Sequence, residues 1–321
     1  MESSATIAHG TPAARPGSLT RRGFPVYARS ILVYNLAVIL WGALVRATGS
    51  GAGCGGHWPL CNGEVLPTSP QVATTIEFVH RAMSGVALVT AAILAVWGWK
   101  AYPAGHPTRR WSMASLAFML TEALIGAALV LLGHVARDES VGRVYSLSLH
   151  LINTFALLAS LALAAWWSTR ASDPPRKTPP EGIGPAVTGI VAMILVAMAG
   201  VITALGDTLF PAHSLAEGIA SDFAATASFL IRLRVIHPAL AIAAALLIAA
   251  IAIRQLRAHL RGPLRMLSAM LLVLLGAQIL IGTLTLLLRA PLPMQLAHLF
   301  TADALWITLV LFTSERVSAA A

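Results

Sequence analysis

The stretch TTIEFVHRAMSG, beginning at Thr74, places Glu77, His80 and Arg81 within five positions at the head of a long apolar run. An acid and an imidazole three residues apart project from one helical face, about one turn from each other. Such a pair can transfer a proton, or bind a metal through one group and orient it with the other. Charged groups in bilayer hydrocarbon cost a few kcal/mol or more each unless paired or bound, so inside a membrane they mark function. Three further histidines, His150, His237 and His298, stand in similar apolar runs, while His9, His57, His106, His134, His213 and His259 fall in loops or the tail.

The runs that must position these groups are membrane spans. The chain has 321 residues, 57% hydrophobic and only 11% charged, whereas a soluble domain carries about 25% charge. Eight runs are long enough to cross about 30 Å of hydrocarbon. They lie near 29–47, 74–97, 111–133, 144–167, 185–206, 228–253, 264–288 and 293–313. Residues 1–28 read as a disordered tail, 168–184 as a linker and 314–321 as a second tail. TRRGF at 20–24 resembles a twin-arginine export signal, but no small-residue cleavage site follows, so Arg21 and Arg22 read as topology anchors.

Fifteen of the 22 Lys and Arg residues fall on one side of these spans. They are Arg15, Arg21, Arg22 and Arg29; Lys100, Arg109 and Arg110; Arg170, Arg176 and Lys177; Arg254, Arg257, Arg261 and Arg265; and Arg316. Basic residues stay inside, so both termini and the tails are expected in the cytoplasm. The formal charge of +9 is therefore a membrane-orientation signal, and nucleic acid is not an expected partner.

The second half of the chain echoes the first. EALIG at 122–126 matches QILIG at 278–282, 156 positions later, and FVHRAMS matches VIHPALA, so that His80 corresponds to His237 at a distance of 157. ALVRATGSG resembles GVITALGDT, with Gly49 opposite Gly206, and LHL around His150 matches AHL around His298. Each half holds four spans, an even number, so both halves run the same way through the membrane. The expected fold is an all-α integral membrane protein of two pseudo-symmetric four-helix bundles, 29–167 and 185–313.

The four repeat-related histidines each sit in the first turns of an even-numbered span, which enters from the outer face. They are expected at matched depth in the outer leaflet, one pair per bundle. Zinc or copper held by two histidines needs further donors, and no Cys, Met or carboxylate cluster repeats alongside. Di-iron bundles need additional inward Glu, yet the counterpart of Glu77 is Arg234. Haem iron needs only two axial donors, which facing helices of a bundle can supply. Two bis-histidine haem sites are the expected reading, with Arg46, Arg81, Arg232 and Arg234 placed to meet haem propionates or lipid headgroups. The halves differ at Glu77 and at Arg81, which Pro238 replaces. An acid beside one site alone suits an enzyme that reacts one haem and uses the other for electrons.

The first outer loop, 48–73, holds both cysteines of the chain, Cys54 and Cys61. It faces a disulfide-permissive side, and its Gly-rich spacing lets the two meet, as a staple over the first bundle or as a redox-active pair.

GALVRATGSGAGCGGHWPLC, EFVHR, the cysteine pair and the four histidines together resemble the haem A synthase family, membrane enzymes that convert haem O to haem A for haem–copper respiratory oxidases. The resemblance covers nearly all of 29–313; a second loop cysteine pair found in some members is missing here. It implies a substrate haem, haem O, between His80 and His150, and a haem b cofactor between His237 and His298. It implies oxidation of a porphyrin methyl group to formyl through successive hydroxylations, with Glu77 as a proton-transfer group or as a group that orients His80. Haem O synthase, haem–copper oxidase assembly factors and a membrane electron donor are the implied partners. Glu122, whose repeat mate is Gln278, reads as a packing residue or a proton relay. A dihaem b-type quinol oxidoreductase also accounts for four histidines in eight spans, but leaves Glu77 and the cysteine loop unexplained. A haem transporter would need a pathway to the cytoplasmic face, whereas the polar residues cluster near the outer leaflet.

Overall fold

The computed structural model describes residues 21–68, 70–170, 184–258 and 261–319. Its elements are α1 (Phe24–Ala47), a 3-10 turn (Ser50–Ala52), α2 (Val72–Ala101), α3 (Pro107–Leu131), α4 (Val141–Trp167), α5 (Gly184–Leu209), α6 (Leu215–Phe223), α7 (Phe229–Leu233), α8 (Ile236–Arg257), α9 (Pro263–Leu287) and α10 (Leu292–Ala319). Among the described residues the only β pairing is the isolated bridge between Cys61 and Glu64. Eight helical segments are long and apolar enough to cross a membrane, with α7 and α8 together forming the sixth. Their outward faces carry exposed Val33, Leu124, Leu246 and Val273, the kind of apolar wall that only lipid or a partner can cover. The protein is an integral, multi-pass membrane protein.

α1 to α4 pack as a ring, each against the next and α4 against α1; α5, α8, α9 and α10 do the same. α4 lies between the rings. Over half of its apolar stretch (56%) is buried, against 11% for α9. Its Leu157 and Leu161 enter a core with Phe24, Ile31, Leu94 and Met119, and its Phe155, Leu158 and Leu163 enter another with Ile248, Leu271 and Leu309. The Phe155 and Trp306 rings stack at 4.5 Å, and Trp306 Nε1 donates to the Phe155 carbonyl at 2.8 Å.

Helix ends depart from the hydropathy boundaries. α1 begins at Phe24, so residues 24–28, expected in the tail, are helical. Pro25 suits the first turn of a helix, and Phe24 is fully buried with its ring 5.1 Å from Tyr102 and 5.7 Å from Trp97. α10 continues to Ala319, through most of the expected tail 314–321. Trp167 Nε1 donates to Ser314 Oγ at 3.2 Å and Arg170 pairs with Glu315 at 3.4 Å, tying this extra length to α4. Residues 1–20 of the expected tail, most of the linker 168–184, and Arg15, Arg176, Lys177 and His259 lie outside the described residues.

The sixth span is broken, where one continuous helix is expected from 228. α7 stops at Leu233 and α8 starts at Ile236. Pro238 lacks an N–H and its ring crowds the carbonyl four residues back, at Arg234. The break falls just before His237. Ahead of it, α6 is an unanticipated helix in the loop. Ser214 accepts from the Glu217 N–H at 3.1 Å and Glu217 Oε2 accepts from the His213 N–H at 2.9 Å, a reciprocal cap at its start.

Candidate functional site

Each of the four span histidines lies against a glycine of the preceding span. A Cβ at Gly42 of α1 would come within 3.0 Å of the His80 ring, and one at Gly126 of α3 within 4.0 Å of the His150 ring. A Cβ at Gly200 of α5 would fall 3.0 Å from His237, and one at Gly282 of α9 2.8 Å from His298. At 42, 200 and 282 only glycine leaves the imidazole its place. The pattern is the same four times, although only the histidines and Gly126/Gly282 stand out in the repeat as read from the sequence.

His237 and His298 face each other with ring centroids 6.4 Å apart and planes at 87°. An imidazole nitrogen binds a transition metal at about 2 Å, so two rings sharing one metal ion have centres roughly 6 Å apart. The spacing leaves room for one metal ion between the two imidazoles, which would then be its protein ligands. The Nδ1 atoms of His80 and His150 are both buried with no hydrogen-bond partner. Among the described residues no three His, Cys, Asp or Glu side chains gather as a ligand set; a metal held here would rest on imidazole pairs.

Glu77 is 3% exposed and is turned to the outer loop. Its Oε2 accepts from the Cys54 N–H at 2.8 Å, and its Oε1 accepts from Arg81 at 2.6 Å and 3.2 Å. Arg81 Nη1 goes on to the carbonyls of His57 at 2.6 Å and Leu60 at 2.7 Å. Cys54 and Cys61 form a disulfide, Cα–Cα 4.4 Å. The loop presses onto the start of α2 so closely that a Cβ at Gly53 would lie 2.5 Å from the Ala73 backbone. The carboxylate, the arginine and the disulfide are therefore one assembly, a cap over the end of the first ring. The Glu77 oxygens are bonded to Cys54 and Arg81, and the His80 Nδ1 is buried with no hydrogen-bond partner.

The other three arginines expected near haem propionates or lipid headgroups also have partners within the protein. Arg46 crosses to the second ring, donating to the Ala204 carbonyl and Thr208 Oγ1 at 2.8 Å each and to Gln295 Oε1 at 3.0 Å. Arg234 pairs with Asp207 at 2.9 Å and Asp222 at 2.8 Å, and Arg232 donates to the Ala225 carbonyl. Where burial leaves charge poorly solvated, as at Arg46 and Arg234, a guanidinium takes the nearest acceptors. Thr208, Gln295, Asp207 and Asp222 are absent from the expected site; a cation at a span end was the one available sign that an acceptor must lie close.

Glu122 is not a bare core residue. Asn153 Nδ2 donates to it at 2.5 Å, the Thr154 hydroxyl donates to its other oxygen, and His150 Nε2 stands 3.6 Å away. Its repeat mate Gln278 lies beside His298, with 3.2 Å between the amide nitrogen and Nε2.

This arrangement coincides with a sequence match: residues 26–310 match the cytochrome oxidase assembly protein family, COX15-CtaA. The chain belongs to that family. Among curated relatives, a protoheme IX farnesyltransferase of Thermus thermophilus is 45% identical over 294 residues, 91% of this chain and 48% of the relative. The chain thus spans about half the length of that relative. The heme A synthase of Alkalihalophilus pseudofirmus is 45% identical over 108 residues, 34% of this chain and 36% of the relative. That of Bacillus mycoides is 44% identical over 100 residues, 31% and 32% respectively. All four histidine–glycine contacts, the Cys54–Cys61 loop and Glu77 fall within the family's span.

Proposed function

We propose that the protein is a haem A synthase, oxidising a methyl group of haem O to formyl. The carrying observation is the asymmetry of two otherwise matched histidine pairs. The first pair, His80 and His150, has Glu77 and Glu122 near it and a disulfide-closed cap above it; at the matching positions of the second pair, His237 and His298, stand Arg234 and Gln278, and no cysteine lies in the loop above. Membership of the cytochrome oxidase assembly family and the two heme A synthase relatives support the same reading. A pure electron carrier has no use for the difference.

On this reading the chain is a duplication, and the first ring takes haem O between His80 and His150. The facing His237 and His298 would hold haem b, which when bound supplies one-electron transfer. Glu77 would hold or deliver a proton at the first site, and Arg81, bonded to both Glu77 and the loop carbonyls, would keep it in place. Arg46 would join the rings instead of binding a propionate, while Arg232 and Arg234 would brace the outer end of the second. The Thermus relatives carry the farnesyltransferase name on chains about twice as long. That supports haem O synthase as a partner handing substrate to the first site; a membrane electron donor and oxidase assembly factors complete the set.

Porphyrins extracted from the purified protein and separated by chromatography test this reading. Haem b together with haem O, haem A or a hydroxylated haem is expected. Unmodified haem b alone, after co-expression with a haem O source, would identify an electron carrier.

The basic residues also set an orientation, with both termini cytoplasmic and the histidines toward the outer leaflet. Single cysteines placed in a cysteine-free variant at Cys54, His134 and His213 are expected to react with an impermeant thiol reagent in intact cells. Those placed at Arg110, Arg176 and Arg257 are expected not to. Outside labelling at 110 or 176 would reverse the topology and move all four histidines to the other leaflet.

A further inference from the structure

Four polar side chains meet at the seam between α3 and α4, about one turn from His150. Asn153 Nδ2 donates to Glu122 Oε2 at 2.5 Å and to the Phe118 carbonyl at 2.8 Å. The Thr154 hydroxyl donates to Glu122 Oε1, and Thr121 Oγ1 lies 2.6 Å from Asn153 Oδ1. The seam opens to the outside of the ring. Thr121 is exposed, as are Leu124, one turn from it on α3, and Leu149, one turn from Asn153 on α4. Polar groups on an apolar, membrane-spanning wall are rare, and they mark substrate pathways more often than ordinary packing.

The cluster has no donor left over. Both amide hydrogens of Asn153 are engaged, by Glu122 and by Phe118. Thr121 has a single hydroxyl hydrogen and three acceptors in reach, Asn153 Oδ1 and the carbonyls of Ala117 and Phe118. Lone pairs remain on Thr121 Oγ1, on Asn153 Oδ1 and on Glu122. The group that fits is therefore one that brings an O–H or N–H. A vinyl group brings none, and a propionate brings only more acceptors. The second ring has no such cluster. Its matching positions are Ala277, Gln278, Thr301 and Ala302, and the Thr301 hydroxyl turns back to the Ala297 carbonyl of its own helix at 2.8 Å.

We propose that Thr121, Glu122 and Asn153 form a subsite for the hydroxyl of haem O, whose farnesyl chain leaves through the α3–α4 seam past Leu124 and Leu149. Haem O carries a hydroxyl and a long apolar chain where haem b carries a vinyl group. What distinguishes the substrate thus matches the seam, a cluster short of one donor beside an apolar wall. Two axial histidines fix the plane of a porphyrin but leave it free to turn about the axis through its iron. An off-axis bond to the hydroxyl stops that rotation and so decides which of the ring's methyl groups stands at the reacting position. Thr121, Glu122 and Asn153 bind and orient; none of them reacts. The inference rests on the proposed placement of haem O between His80 and His150, and it adds the means by which that site tells its substrate from haem b.

Haem binding by the purified full-length protein, expressed without a haem O source, tests the subsite. Two ligands are titrated in detergent: haem O, and haem O dehydrated so that the chain stays and the hydroxyl is lost. Absorbance changes that disappear in His80→Ala report the first site; if none do, the placement of haem O fails and the subsite falls with it. Given that signal, haem O is expected to bind about tenfold or more tightly than its dehydrated form, the weight of one hydrogen bond in a site built to make it. Equal affinities overturn the subsite, leave the placement standing and make the cluster a bond between helices only. Thr121→Val combined with Asn153→Leu should bring haem O down to the affinity of the dehydrated form and leave the latter unchanged. A double variant that still prefers haem O puts the hydroxyl elsewhere and overturns the assignment. Should that variant lose the His237-dependent haem signal, and so fail to fold, the wild-type comparison decides alone.

Discussion

Replacing Glu77 by glutamine is expected to lower haem A formation on the order of 100-fold while both haems stay bound, the usual loss when a proton-transfer group is removed. Glutamine keeps the length of the side chain and, through its carbonyl oxygen, an acceptor for the Cys54 N–H now bonded at 2.8 Å. What it loses is the charge opposite Arg81 and the ability to take or give a proton. Accumulation of a hydroxylated haem is the expected companion result, since methyl hydroxylation and loss of water from a diol both need proton transfer. The competing outcome is mechanical. Breaking a buried ion pair leaves an unmatched charge, and the Arg81 side chain is only 13% exposed, so the loop could loosen and activity fall for that reason. Haem content and retention of the Cys54–Cys61 disulfide, read by mass spectrometry without reduction, separate the two. An intact loop with haem A output lost supports proton transfer. Near-normal haem A output would leave Glu77 as a clamp on the loop and nothing more.

His237→Ala and His298→Ala are expected to abolish the low-spin haem b signal outright, whereas His80→Ala and His150→Ala should alter substrate-haem binding and leave that signal in place. The physical basis is the facing geometry of His237 and His298, 6.4 Å between ring centres. On the proposed haem placement, either alanine variant would remove one of the two protein ligands. Reduced-minus-oxidised absorbance spectra of the four variants, with porphyrin extraction, give the answer. If His237→Ala and His80→Ala lose the same haem, one site bridges the two rings and the pairing within each ring is wrong.

Much of this protein follows from its sequence alone. Eight apolar runs require eight helices, because a backbone in hydrocarbon must bond to itself, and the spacing of 156 to 157 residues between related motifs picks out His80, Glu122, His237 and Gln278 together. The Cys54–Cys61 disulfide was equally legible, from two cysteines in a short Gly-rich outer loop. Two further features were present in the letters without standing out: Pro238, which breaks the sixth span, and SLAE at 214–217, which caps α6. Hydropathy averages over a turn or more and is blind to single residues of this kind. The partners of the polar groups belong to the tertiary structure. Arg46 could meet Gln295, 249 residues away, only once the two rings had packed. Glu77 and His80 share a helical face, yet one carboxylate oxygen goes to Cys54 and none to His80. Glu122 and Gln278 are related in the sequence, but only the folded chain puts one 3.6 Å from His150 and the other 3.2 Å from His298. Spacing along a helix sets which side chains are near one another; which of them bond is decided by the acceptors that neighbouring helices bring into a medium without water.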